Sequence, residues 1–371
     1  MDQLFGRPDG FQTPKLKMPL YLDKPLRTPA AWRGPDWATN NDWITAVPKE
    51  LAADLQVTAQ DLARRGCSPQ ATTAADWALP TLAELGAQVQ QNLEGGPGFA
   101  LLRGLPVDTC DEEMATLMFW GLGTHIGAAE PQDAAGNLLH HVRDTGQSLE
   151  KKDDLRAYQT NRAINYHNDG ADLFALLCLQ QASQGGGSKL VSAVAVFNEI
   201  LQRQPYLARI LQEPFYFDAR GQQVPGTPPY QHVPIFNYHL GHLNVLYKRE
   251  YIDLARRFDH LPPLTRPQIE ALDLMDAVCD ELAVEFEMHP GDILMANNYD
   301  LLHARSAFAD DQGTPQGRHL LRLWLTLPQG RPLPPVFART REFCHSYRRR
   351  HARAAHLQDQ PLAARTGKST S

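Results

Sequence analysis

No stretch of this chain stays apolar for the roughly 20 residues that a membrane-spanning helix requires, so a membrane span is not expected. The first residues, Met1 to Gly10 (MDQLFGRPDG), lack the charged-then-apolar pattern of a secretory signal. Cysteine is scarce. The five cysteines, Cys67, Cys110, Cys178, Cys279 and Cys344, lie far apart, and no CxxC occurs. An odd, scattered set argues against a disulfide framework or a zinc module and favours a reducing compartment, so a cytoplasmic location is expected. A basic excess is also missing: 36 Lys+Arg stand against 42 Asp+Glu, for a net charge of −6 and a pI near 6.2. A general nucleic-acid binder is not expected from that balance. There is no internal repeat and no low-complexity segment. What remains is a protein handling a small molecule, with neither nucleic acid nor membrane as partner.

The 371 residues are 43% hydrophobic, ample for a large core. Residues 1–43, rich in Pro, Trp and Lys/Arg, read as an irregular arm over that core. Helical patterns follow at Glu50–Arg65 and Leu79–Leu93, then a short strand at Phe99 and a helix over Glu112–Trp120 ending near Gly121. From Leu138 onward short apolar runs recur between Gly, Pro, Asn and Asp, at Leu138–Val142, Leu173–Gln180, Lys189–Val194, Pro214–Phe217, Val233–Tyr238, Leu243–Tyr247, Ile293–Ala296 and Leu320–Leu327. That spacing is the signature of a sandwich or barrel. Helical inserts interrupt it at Val196–Leu211, Arg249–Phe258 and Arg266–Leu282. The expected fold is mostly β with helical inserts around a jelly-roll core: one domain over residues 44–340, and a frayed basic tail over 345–371.

Chemistry enters at Asn165-Tyr-His-Asn-Asp-Gly170. On a strand, positions two apart share a face, so His167 and Asp169 can reach one metal. With 14 His and 42 Asp+Glu in the chain, one such pattern arises by chance and alone carries no weight. Order changes that. Gly185-Gly-Gly-Ser188 follows, then His289-Pro-Gly-Asp-Ile-Leu-Met-Ala-Asn-Asn-Tyr-Asp-Leu-Leu-His303, then Gly317-Arg-His-Leu-Leu-Arg-Leu-Trp-Leu325. Two histidines and one carboxylate on one face, with open positions opposite, suit non-haem iron(II). An arginine one strand further on can grip a carboxylate with two parallel hydrogen bonds.

Between about Trp32 and Leu327 this order resembles the taurine dioxygenase (TauD/TfdA) and clavaminate synthase-like branch of iron(II)/2-oxoglutarate oxygenases. The resemblance implies that His167, Asp169 and His303 hold iron(II). It implies that Arg318 and Ser188 meet the distal carboxylate of 2-oxoglutarate, and Arg322 an acidic group of the substrate. The activity implied is an O2-dependent oxidation of an unactivated C–H, by hydroxylation, desaturation or ring closure, coupled to decarboxylation of 2-oxoglutarate to succinate. A small, carboxylate-bearing, amino-acid-like substrate is expected. Asp169 disfavours halogenation, because related halogenases lack that carboxylate.

Other residues have plainer readings. Tyr158 and Asn161 are candidates for a substrate lid, whereas Tyr166 alternates with His167 and should face the core. His140 and His141 should point to opposite faces and not share a ligand. His239 and His242 suit a hairpin, Asn297 and Asn298 a turn before His303, and Trp324 a core strand. The alternatives are a non-catalytic jelly-roll binding protein, against which the intact triad and arginine positions argue, or a cupin-type metalloenzyme that uses no 2-oxoglutarate, which gives no reason for Arg318 at its spacing after His303.

Overall fold

Alternation along two strands explains the layering. In Leu173–Gln180, the side chains of Leu173, Ala175 and Leu177 join one apolar cluster, while Phe174 and Cys178 join another. In His319–Thr326, Leu321, Leu323 and Leu325 join the first, and Leu320 and Trp324 the second. Successive side chains of a strand point to opposite faces, so both strands are buried on both sides. In the computed structural model, which describes residues 21–38, 43–146, 157–311 and 317–359, these strands are the middle of a seven-stranded sheet. Its order is Ile44–Ala46, Phe99–Arg103, Ile293–Asn297, Leu173–Gln180, His319–Thr326 and Ala128–Ala129, with Leu139–Arg143 also on His319–Thr326. All its pairings are antiparallel except the first. A four-stranded antiparallel sheet runs Val284–Phe286, Ser188–Ser192, Leu301–Arg305, Ile164–His167. The architecture is mostly β with helices on the outside.

Three apolar layers result. Phe99, Phe174, Leu294 and Trp324 of the large sheet meet Leu190, Val284 and Leu301 of the small one. Behind the large sheet lie the helices Lys49–Arg64, Pro80–Gly95 and Glu112–Ile126. Behind the small sheet Tyr166, Val191, Leu302 and Ala304 pack with the helices Ala193–Arg203 and Arg266–Leu282 and with hairpin residues such as Phe215 and Val245. Tyr166 thus faces away from its neighbours His167 and Asn165, as expected.

Several boundaries differ from the sequence reading for identifiable reasons. The helix expected to stop near Gly121 runs to Ile126, because that glycine serves close packing: a Cβ there would sit 2.3 Å from the ring of buried Trp77. The run Lys189–Val194 stops as a strand at Ser192, whose hydroxyl accepts from Ala195 N and starts a helix. Pro205 divides the expected Val196–Leu211 helix in two. The run Val233–Tyr238 belongs to two hairpins, and His239 pairs with His242 in the second. The tail expected to fray from His345 begins instead as a helix, Cys344–Asp359, because its arginines find buried carboxylates: Arg349 bonds Glu130 and Arg350 bonds Asp172. The rest of that tail, residues 360–371, lies outside the described residues. Of the arm, residues 21–38 and Trp43 are described. Leu22 N donates to Gln212 Oε1 at 2.7 Å and Leu26 N to Asn198 Oδ1 at 2.8 Å.

Gly121→Ala tests the helix–Trp77 contact. Forcing a methyl into that ring should cost about 1–3 kcal/mol, read as a lower denaturant midpoint with an unchanged slope; an unchanged midpoint would mean that the contact has slack.

Candidate active site

The antiparallel pairing of Ile164–His167 with Leu301–Arg305 sets His303 directly opposite His167. Their rings are 4.1 Å apart between centroids. His303 also packs on Phe174, at 4.2 Å. The strand ends at His167, so Asp169 does not share it as the sequence reading assumed; it lies in the turn beyond. That turn is shaped by two asparagines. Asn168 accepts from Tyr247 N at 2.8 Å and donates to Val245 O at 3.2 Å. Asn298 accepts from Asp169 N at 3.1 Å and donates to Gly170 O at 2.7 Å. Asn298 thus positions the carboxylate, a role the sequence reading did not give it. Ala171, closing the turn, has φ of 60°, the left-handed region that L-residues rarely visit. Gly170 is required by Trp324: a Cβ there would fall 2.5 Å from the indole.

His303 Nε2 lies 3.9 Å from Asp169 Oδ2, and one donor atom from each of His167, Asp169 and His303 lies within 4.8 Å of the others. The carbonyl of Asn165 can only accept, so His167 Nδ1 carries the proton of their 2.8 Å hydrogen bond and Nε2 keeps its lone pair. Burial depresses His167 to about 4 and holds His303 well below its usual range, so both imidazoles are neutral at pH 7. For Asp169, burial raises the carboxyl, but the Arg322 guanidinium beside it more than offsets this and holds it below the usual carboxylate range. Two neutral imidazoles and an ionised carboxylate converging on a cavity fit iron(II).

Arg322 reaches this group from the next sheet. Its Nη1 donates to both Asp169 oxygens at 3.1 and 3.0 Å and its Nε to Gln132 Oε1 at 2.7 Å. Its guanidinium carbon lies 4.7 Å from the centre of the Tyr158 ring and 5.1 Å from that of Trp324. Tyr158 lines the cavity and bonds His140 Nδ1 through its hydroxyl at 3.0 Å. Arg318 and Ser188 also line the cavity, both buried. Arg318 Nη1 has no hydrogen-bond partner among the described residues. Burial lowers its pKa from the usual arginine value. Gly186 makes room for it, since a Cβ there would lie 3.0 Å from Arg318 Nε.

Asn161 is the sequence-selected residue that the structure does not bring to the site. It is exposed, does not line the cavity, and contributes its carbonyl to Phe308 N at 3.0 Å. The turn that carries Tyr158 puts no constraint on Asn161, three residues on, because only Ala157–Gln159 is a regular turn of helix there. His140 and His141 separate as expected: His140 bonds Asp133, and His141 lies on the far side with His319 and Glu112. Arg305, Lys248, Gln132, Trp324 and Arg341 line the cavity although the sequence reading did not select them. Arg305 was findable, since it stands two residues after His303 and so shares its face; Lys248 and Arg341 come from loops with no period to reveal them.

The donor set and the cavity define a mononuclear non-haem iron oxygenase. Residues 64–324 match the model of the family described as Taurine catabolism dioxygenase TauD, TfdA family. FR-33289 synthase of Streptomyces rubellomurinus is 30% identical over 320 residues, 84% of this chain and 94% of that protein. Taurine hydroxylase-like protein SAT17 of Stachybotrys chartarum is 28% identical over 307 residues, 80% and 79% of the two chains. Among solved structures, an asparagine oxygenase in complex with Fe(II), 2S,3S-3-hydroxyasparagine and succinate is similar in fold, with a TM-score of 0.61 and 18% identity over 76% of this chain and 94% of that one. The non-haem iron oxygenase OrfP in complex with Fe and alpha-ketoglutaric acid gives 0.54 and 15%, over 76% and 94%. The chain belongs to the TauD, TfdA family and is an iron(II)- and 2-oxoglutarate-dependent oxygenase.

His167→Ala and Asp169→Ala should abolish turnover while the circular dichroism spectrum stays native; full activity in either would remove the ligand assignment. Asn298→Ala should lower iron(II) affinity by roughly 10–100-fold, the usual cost of losing a group that orients a ligand. Equal affinity would mean that Asp169 holds its place unaided.

Proposed function

We propose that this enzyme hydroxylates an unactivated C–H of a small, anionic, amino-acid-like substrate while 2-oxoglutarate is converted to succinate and carbon dioxide. The observation that carries the substrate class is the charge of the cavity wall. Of the basic residues that border it, Lys189, Lys248, Arg249 and Arg341 pair with carboxylates such as Glu285, Glu342 and Asp273, and Arg322 pairs with Asp169, whereas Arg305 and Arg318 form no ion pair among the described residues. Such a wall concentrates and orients anions. Two solved structures similar in fold are complexes with hydroxylated amino acids, 2S,3S-3-hydroxyasparagine for one and (3S)-hydroxy-L-Arg for OrfP, which agrees with a substrate of this size.

Bound iron(II), with O2, supplies the oxidising power. The chain supplies position and dryness. Arg318 and Ser188 would hold the distal carboxylate of 2-oxoglutarate. Arg322 keeps Asp169 ionised through Nη1 and is fixed by Gln132 through Nε, which leaves Nη2 for an anionic group of the substrate. Tyr158 and Trp324 lie beside that guanidinium and exclude water around it. The two sheets are read as a double-stranded β-helix, with residues 44–340 as one catalytic unit. Five unpaired cysteines suit an enzyme of the cytoplasm.

Anaerobic addition of iron(II) and 2-oxoglutarate should raise a weak metal-to-ligand visible band, and air should then release succinate. A library of small carboxylates, sulfonates and phosphonates should contain compounds that stimulate succinate release, whereas cationic and neutral analogues should not; stimulation confined to cations would overturn the substrate class. Arg318→Ala should raise the apparent KM for 2-oxoglutarate at least tenfold, since truncating one partner of a buried charge pair costs about 2–5 kcal/mol. An unchanged KM would move that role elsewhere.

A further inference from the structure

Arg305 presents a problem of uncompensated charge. It stands on the same strand as His303, two residues on. At roughly 3.3 Å of rise per residue, its Cα is about 7 Å along the sheet from that of His303, on the same face. Its Cα partner on the neighbouring strand is Ser188, already a candidate for the co-substrate carboxylate. Arg305 and Arg318 are 7% and 6% exposed and both line the cavity. Their guanidinium carbons lie 4.7 and 5.4 Å from the centre of the same ring, Phe308.

A guanidinium carries five N–H donors. Arg305 spends Nη2 on the carbonyls of Thr160 and Arg162, but its Nε and Nη1 have no partner among the described residues, nor has Arg318 Nη1. No carboxylate among those residues forms an ion pair with either side chain. Asp310, the nearest acid to Arg318 in the chain's hydrogen bonding, is occupied by the Arg318 backbone N–H at 3.1 Å. An arginine kept only to brace the backbone would be expected to use its remaining donors. Two buried, mutually repelling cations with idle N–H groups are costly on their own. They make sense as half of a site whose other half is an anion.

We propose that Arg305 is a second co-substrate arginine, and that Arg305, Arg318 and Ser188 together receive the distal carboxylate of 2-oxoglutarate. This rests on the reading of the cavity as a 2-oxoglutarate site. It adds to it a residue on the metal ligand's own strand, so that the chelating end and the distal end of the co-substrate are referred to one rigid element.

The test uses the full chain loaded anaerobically with iron(II) and titrated with two probes: 2-oxoglutarate, and 2-oxopentanoate, which has the same chain length but lacks the distal carboxylate. Wild type should favour 2-oxoglutarate strongly. In Arg305→Ala, affinity for 2-oxoglutarate should fall about 10–100-fold, with 2-oxopentanoate affinity within about twofold of wild type. Arg305→Lys, which keeps the charge but loses the fork, should recover only part. Iron(II) affinity measured without either keto acid should be unchanged, which separates the effect from a shift of His303. If Arg305→Ala and Arg305→Lys bind both keto acids as wild type does while Arg318→Ala loses 2-oxoglutarate, Arg305 is a backbone brace and the proposal is overturned. Equal weakening of both probes overturns it too. If Arg318→Ala is also silent, the fault lies in the co-substrate site itself. Should Arg305→Ala fail to fold, Arg305→Lys alone decides: undiminished discrimination between the two keto acids overturns the proposal, and a reduced one supports it.

Discussion

The pairing of Ile164–His167 with Leu301–Arg305, in the register that puts His303 opposite His167, governs the rest of the site. A slip of one residue would turn every side chain of one strand to the opposite face. His303 would then point into the layer that holds Leu302 and Ala304, and Arg305 would leave the cavity with it. The register is held from both sides. Leu302 and Ala304 are packed against the outer helices, and the strand Ser188–Ser192 pairs residue for residue along the other edge, from Leu301 opposite Ser192 to Arg305 opposite Ser188. The irregularity between His303 and Arg305 falls on the Ile164–His167 side alone. It lets the histidines meet squarely without disturbing the other pairing.

A second constraint is electrostatic. The interior between the sheets is apolar at one end, where Trp32, Trp37 and Phe99 pack, and densely charged at the other. Asp169 is stabilised as an anion there by Arg322, which prepares it as a metal ligand before any metal arrives. Arg305 and Arg318 have no such partner. The cavity is therefore balanced near the histidines and left positive around Phe308. Such a gradient would draw a dicarboxylate in with one end toward the iron ligands and the other toward the arginines. One arrangement of charge thus suits both an ionised carboxylate beside the histidines and an anionic co-substrate beside the arginines.

Much of this was legible in the sequence, and the failures have physical causes. Apolar runs between turn residues identified Leu173–Gln180 and, as Leu320–Leu327, the strand His319–Thr326, because strands buried on both faces carry long apolar runs. Alternation with His167 placed the Tyr166 side chain in the outer core, although the residue also borders the cavity. The motif order picked out His167, Asp169 and His303, and the fold brings one donor atom of each within 4.8 Å of the others. Asp169 was placed on a strand when it stands in a turn; the i, i+2 argument gave the right partner for an incomplete reason, because the turn is imposed by Asn168 and Asn298 through hydrogen bonds from distant segments. Gly121 was read as a stop when its role is contact with Trp77, a distinction that depends on a residue 44 positions away. Lys248 and Arg341 were missed because loops have no period, and Asn161 was selected on proximity in sequence to His167, which in an irregular segment does not imply proximity in space.

X-ray absorption of the iron(II)-loaded protein tests the central claim most directly, because it counts the ligands. The account predicts a six-coordinate site of nitrogen and oxygen donors with the scattering of two imidazoles, falling to one in His303→Ala. A sulfur in the shell, or two imidazoles still present in that variant, would contradict it.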